Sequence, residues 1–165
     1  MLTQSLRTIL EEVKAELPGE VVQPLSIAEQ LKEAVENSQP NQVFLARKFM
    51  EWLTDQLNGL APNFPTQADL NKLLIQALAP TVDLVQEFAQ IAEVIATTRA
   101  VEVAHTLYKG FELLIEKYNL PRGFSGSFRD IDFDYYKFLG HELFVTLFSF
   151  LIREKQWGFC WVMLS

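Results

Sequence analysis

The sequence has a single cysteine, Cys160, among 165 residues. No disulfide can form within the chain, so a buried core must hold the fold, and a reducing, cytoplasmic setting is the default expectation. Long apolar runs are missing too. The longest, LFVTLFSFLI at 143–152, has ten residues, about half of what a bilayer crossing needs. The N-terminal stretch MLTQSLRTILEEVKAEL carries acids where a secretory signal would carry bases. No Walker-type phosphate loop, GxGxxG turn or GxSxG elbow is present. Basic clusters are also scarce. The net charge is −7, and residues 1–98, with 6 basic and 13 acidic side chains, account for all of it. Residues 99–165 hold 8 of each. An acidic half repels phosphate backbones, so bulk nucleic-acid binding is disfavoured.

What is present is helical periodicity punctuated by proline. Half of the residues are apolar, ordinary for a globular chain that builds its own core. The seven prolines all fall between stretches in which apolar residues recur every three or four positions. Leu2, Leu6, Ile9, Leu10, Val13 and Leu17 mark the first stretch. The second opens at Ser26-Ile-Ala-Glu29, a capping-box pattern. The third follows Pro40 and stops near Gly59, and the fourth opens at Thr66. From Pro80 the pattern runs to about Asn119, a span of roughly 60 Å as one helix, too long for a domain of this size. A bend is expected near Thr97-Thr98 or near Gly110. The reading is a single all-α domain of about six helices. It has two hairpins at 2–60 and 66–119, a loop at 120–131, a helix at 132–156 and an apolar tail at 157–165.

The segment RDIDFDYYKFLGHE at 129–142 sets aspartates 130, 132 and 134 at alternate positions. A calcium loop counted from Asp130 would need Gly at position 6 and Glu at position 12. Tyr135 and His141 stand there instead, so the acids read as helix-start residues, with Asp132 or Asp134 capping. The helix that follows is nearly all apolar. Glu142, Thr146, Ser149 and Arg153 form its one narrow polar stripe, so the expectation is a central helix buried by several neighbours or by a partner chain. Aromatics fill 13 of the 49 positions from Phe111 to Phe159. Phe144, Phe148, Phe150 and Leu151, with Trp157, Phe159 and Trp161 beyond them, are the candidate interface residues. The apolar end WGFCWVMLS calls for docking on the bundle, an interface, or further chain.

Two histidines exist. His141, beside Glu142, reads as a core or boundary residue with a hydrogen-bond partner. His105 closes the stretch Arg99-Ala-Val-Glu102-Val-Ala-His105, which on one helix would spread Arg, Glu and His over an arc of about 120°. One reading is a surface salt-bridge cluster. The other is a polar site: His for proton transfer, Arg for a phosphate, Glu to orient either. An Arg followed after five residues by a His resembles the motif of the HEPN family of all-α ribonucleases. That resemblance implies RNA cleavage without metal, usually by a dimer, with Arg99 and His105 at the site. No cofactor or metal is called for, since a lone Glu102-x-x-His105 lacks the second Glu-x-x-His of a di-iron bundle. Cys160, among aromatics, is expected to be inert. The leading expectation is a non-catalytic helical module that binds a protein partner or a second copy of itself through its aromatic C-terminal third. The HEPN-like ribonuclease is the alternative.

Overall fold

A computed structural model describes residues 24–62, 70–116 and 131–164. The chain is an all-α bundle, and the described residues contain no strand. Helix α1 spans Ile27–Glu36, α2 Gln42–Leu60, α3 Leu70–Leu78, α4 Val82–Thr98, α5 Val101–Ile115, α6 Ile131–Arg153 and α7 Trp157–Leu164. A 3-10 turn, Ala79–Thr81, joins α3 to α4. The stretches 2–17, 66–69 and 120–130, expected as helix, helix cap and loop, lie outside the described residues.

Local chemistry explains most helix ends. Ser26 and Glu29 close the expected capping box, Glu29 N–H donating to Ser26 Oγ at 3.1 Å and Ser26 N–H to Glu29 Oε2 at 2.8 Å. Helix α2 runs through Gly59 and ends at Leu60. Its stop is Pro62, because the residue before a proline is pushed out of the helical region, and Ala61 is extended (ψ 133°). At Pro80 the chain makes the 3-10 turn before α4 begins, and buried Thr81 donates its hydroxyl to Leu78 O at 2.7 Å.

The long pattern after Pro80 breaks at the first of its two expected places. Thr97 and Thr98 turn their hydroxyls back onto Glu93 O and Val94 O, at 2.6 and 2.7 Å. Arg99 then adopts φ 58°, ψ 37°, a left-handed C-cap that ends α4. Helix α5 starts two residues later and passes through Gly110 without interruption.

Helix α2 packs on α5, α4 on α6, and α1 on both α2 and α4, while α6 also touches α5 and α3. Their facing sides share one buried cluster. An aromatic chain crosses it: Phe49 to Phe88 at 6.4 Å between centroids, Phe88 to Phe111 at 6.0 Å, Phe111 to Phe144 at 6.3 Å and Phe144 to Phe148 at 4.3 Å. Each ring comes from a side that carries apolar residues at helical spacing, which is why four helices can meet there. The Thr54 hydroxyl is buried without a hydrogen-bond partner. Thr54→Val keeps the shape and removes that unsatisfied group, so it is expected to raise unfolding stability by about 1 kcal/mol in urea denaturation.

Helix α6 is not enclosed by the bundle. Tyr135, Leu139, Leu143, Leu147 and Leu151 repeat every four residues and are fully buried, whereas Phe138, Val145 and Ile152 on the other side are exposed. Its buried anchor is Tyr135, whose hydroxyl donates to Leu57 O at 2.9 Å. That carbonyl belongs to the last turn of α2, where no intrahelical donor is available. Burial pushes the Tyr135 hydroxyl well above the usual phenol range, with Tyr136 alongside adding to it. Tyr136 donates to Asn58 Oδ1 at 2.9 Å, so both tyrosines tie α6 to the end of α2.

The helix begins at Ile131, so Asp132 and Asp134 fall inside it and not at its cap, and Asp134 pairs with Lys137 at 3.3 Å. At the far end Lys155 takes φ 59° and turns the chain into α7. The expected apolar tail is therefore a helix, packed against α6 and α5. The Gln156 amide donates to Ala96 O, fixing this corner to the end of α4. No described helix is long and apolar enough to cross a membrane.

Candidate functional site

The backbone at Arg99 decides the fate of the Arg99, Glu102 and His105 cluster. A left-handed residue between two helices breaks the 100° register on which their common face depended. Arg99 is the exposed cap of α4, Glu102 lies exposed in the first turn of α5, and His105 is half-buried one turn further on. No ion pair or hydrogen bond joins the three side chains.

The fold gives His105 other neighbours. It lines a cavity of about 440 Å³ at the crossing of α2 and α5, together with Arg47 and Glu51 from α2 and Lys109 from its own helix. Met50 and Leu113 supply apolar lining, and Thr106 adds a hydroxyl that donates to Glu102 O at 2.8 Å. Gly110 makes the crossing close, because a Cβ built there would lie 2.6 Å from Met50 Cγ. Glu51 is engaged by Lys48 at 2.8 Å. Among the described residues, Arg47 and Lys109 have no carboxylate partner. His105 also borders a second cavity, with Glu102, Val101, Gly158 and Phe159. Arg47 is 58 positions from His105 in sequence, so no local motif could pair them. Only the α2–α5 crossing does.

No known protein family, curated protein or solved structure matches this chain.

The candidate interface residues of the C-terminal third divide into three groups. Leu151, Phe148 and Phe159 are buried in the protein's own core. Phe144 is half-buried between Phe111 and Phe148, and Phe150 is half-buried beneath the Arg153 guanidinium, 4.7 Å from its ring centre. Arg153 in turn bonds Glu93 at 2.9 Å and Glu154 at 3.2 Å. Trp157 and Trp161 are open to solvent, 60 % and 77 % exposed. Among the described side chains of α6, the exposed large apolar residues are Phe138, Val145 and Ile152. Composition alone could not pick them out, since apolar residues stand on more than one side of the helix between 143 and 152.

Phe138 also borders an apolar groove of about 430 Å³ that it shares with Ile75 of α3 and Val82 of α4. His141 is exposed on α6, contrary to the core or boundary position expected from sequence. Burial raises the pKa of the Cys160 thiol, which disfavours the reactive thiolate. Among the described residues no three His, Cys, Asp or Glu side chains gather into a metal site.

Proposed function

We propose that the chain is a non-catalytic helical module that works by protein association, and that its partner is a second copy joined through α6. One observation supports this reading above the rest: Phe138, Val145 and Ile152 are exposed apolar residues at steps of seven on one helix. A seven-residue step keeps side chains on one side of a helix to within about 20°. The stripe is also symmetric about its middle member. Two antiparallel α6 helices related by a twofold axis at Val145 would set Phe138 of each copy against Ile152 of the other, which makes the surface complementary to itself.

Lys137 and Arg153 are equally spaced about the same centre, which brings like charges together across that axis. Each already has a carboxylate, Asp134 for Lys137 and Glu93 with Glu154 for Arg153, so the rim carries both signs. Trp157 and Trp161 on α7 are further exposed aromatics of the C-terminal third. Aromatics of this kind are enriched at the centres of interfaces.

The test is the mass in solution by light scattering at several concentrations. The expected result is twice the single-chain mass. Val145→Asp places two carboxylates on the axis and leaves the core untouched, so dissociation is expected to weaken the pair at least 100-fold, about 3 kcal/mol. A monomer at every concentration would overturn self-association. RNA cleavage in EDTA that is lost in His105→Ala would overturn the non-catalytic reading.

A further inference from the structure

We propose that the cavity at the α2–α5 crossing binds a small phosphorylated molecule, with Arg47 and Lys109 holding its phosphate and His105 donating to it. The charge pattern is the first argument. The protein is acidic overall, with 21 carboxylate side chains against 14 bases. Two bases on different helices nevertheless line one cavity with no carboxylate of their own among the described residues. The one acid in the lining, Glu51, is matched by Lys48. An unpaired guanidinium and ammonium on two sides of a cavity are the chemistry that recognises a tetrahedral oxyanion, the fork of arginine and the point charge of lysine taking different oxygens. A planar carboxylate would be satisfied by the arginine alone.

Size and lining set the rest of the ligand. About 440 Å³ is within the range of small-molecule pockets and is far more than a bare phosphate fills. Met50 and Leu113 border the remaining space, so the phosphate carries an organic group with an apolar side. A nucleic acid is a poor fit, because the chain as a whole is acidic and repels a polyanion. Self-association through α6 uses a different surface, so the two proposals stand or fall separately.

Isothermal titration calorimetry with phenyl phosphate on the full chain tests the site, with inorganic phosphate and phenol as the two halves of the probe. Phenyl phosphate is expected to bind at one site per chain and more tightly than either half. Arg47→Gln and Lys109→Gln, both at exposed positions, are each expected to weaken it at least fivefold. Lys155→Gln removes the same charge elsewhere and is expected to change nothing. Glu51→Gln is expected to tighten binding, because it deletes the one carboxylate in the lining and frees Lys48. Absence of binding at millimolar phenyl phosphate would overturn the proposal. So would equal losses in Lys155→Gln and Lys109→Gln, which would mean diffuse charge attraction and no site.

Discussion

Replacing Phe88 with alanine is expected to cost about 4 kcal/mol of unfolding free energy, the upper range for a buried aromatic truncation. Phe88 is fully buried, and its ring lies between Phe49 of α2 and Phe111 of α5. The cost of such a deletion depends on how far the surroundings can close over the space. Here the two flanking rings belong to different helices, each held by its own neighbours, so neither can move in without shifting a whole helix. Two aromatic pairs are lost along with the transfer energy of the ring. A domain of this size has a total stability of only about 5–15 kcal/mol. The measurement is urea unfolding followed by circular dichroism, with a large fall in midpoint and an unchanged slope. A loss below about 1.5 kcal/mol would mean that Phe88 is not the packing hub where α2, α4 and α5 meet.

The second large effect is expected at Gly110. A Cβ there would meet Met50 Cγ at 2.6 Å, Cβ at 2.8 Å and Cε at 2.9 Å. Rotation of the methionine side chain can move its outer atoms, but its Cβ is fixed to the backbone of α2. The two helices must therefore separate. Gly110→Val is expected to destabilise by about 3 kcal/mol, the upper end of the cost of overpacking, even though leaving glycine behind improves helix propensity by a few tenths. Met50→Ala in the same chain removes Cγ and Cε but keeps the Cβ 2.8 Å from the added atom. The double variant is expected to recover part of the loss and not all of it, a coupling that only direct contact produces. A Gly110→Val chain as stable as the parent would show that α2 and α5 do not cross this closely. Because Gly110 and Met50 both line the proposed phosphate cavity, the same substitution is expected to weaken phenyl phosphate binding.

Local features of the sequence translated directly into local features of the structure. The capping box at Ser26 and Glu29 formed as written, because both of its hydrogen bonds lie within four residues. The break after Thr98 was expected from length alone, since a continuous helix from Pro80 would outrun the domain. Its consequence was not foreseeable. Which residue takes the left-handed cap is a choice among several neighbours, and that choice separates Arg99 from His105.

The remaining divergence has one cause. Between 143 and 152, where apolar residues stand on more than one side of α6, periodicity no longer distinguishes inside from outside. Tyr135 and its successors at steps of four are buried because the ends and sides of α2, α4 and α5 happen to meet that side. Phe138, Val145 and Ile152 are left open by the same packing. Sequence by itself determined the helical class, the proline-bounded stretches and the absence of any disulfide, since each depends on residues close in the chain or on simple counts. Tertiary structure alone decided which face of α6 meets solvent and which arginine shares a cavity with His105, because both depend on helices that are distant in sequence and brought together by burial.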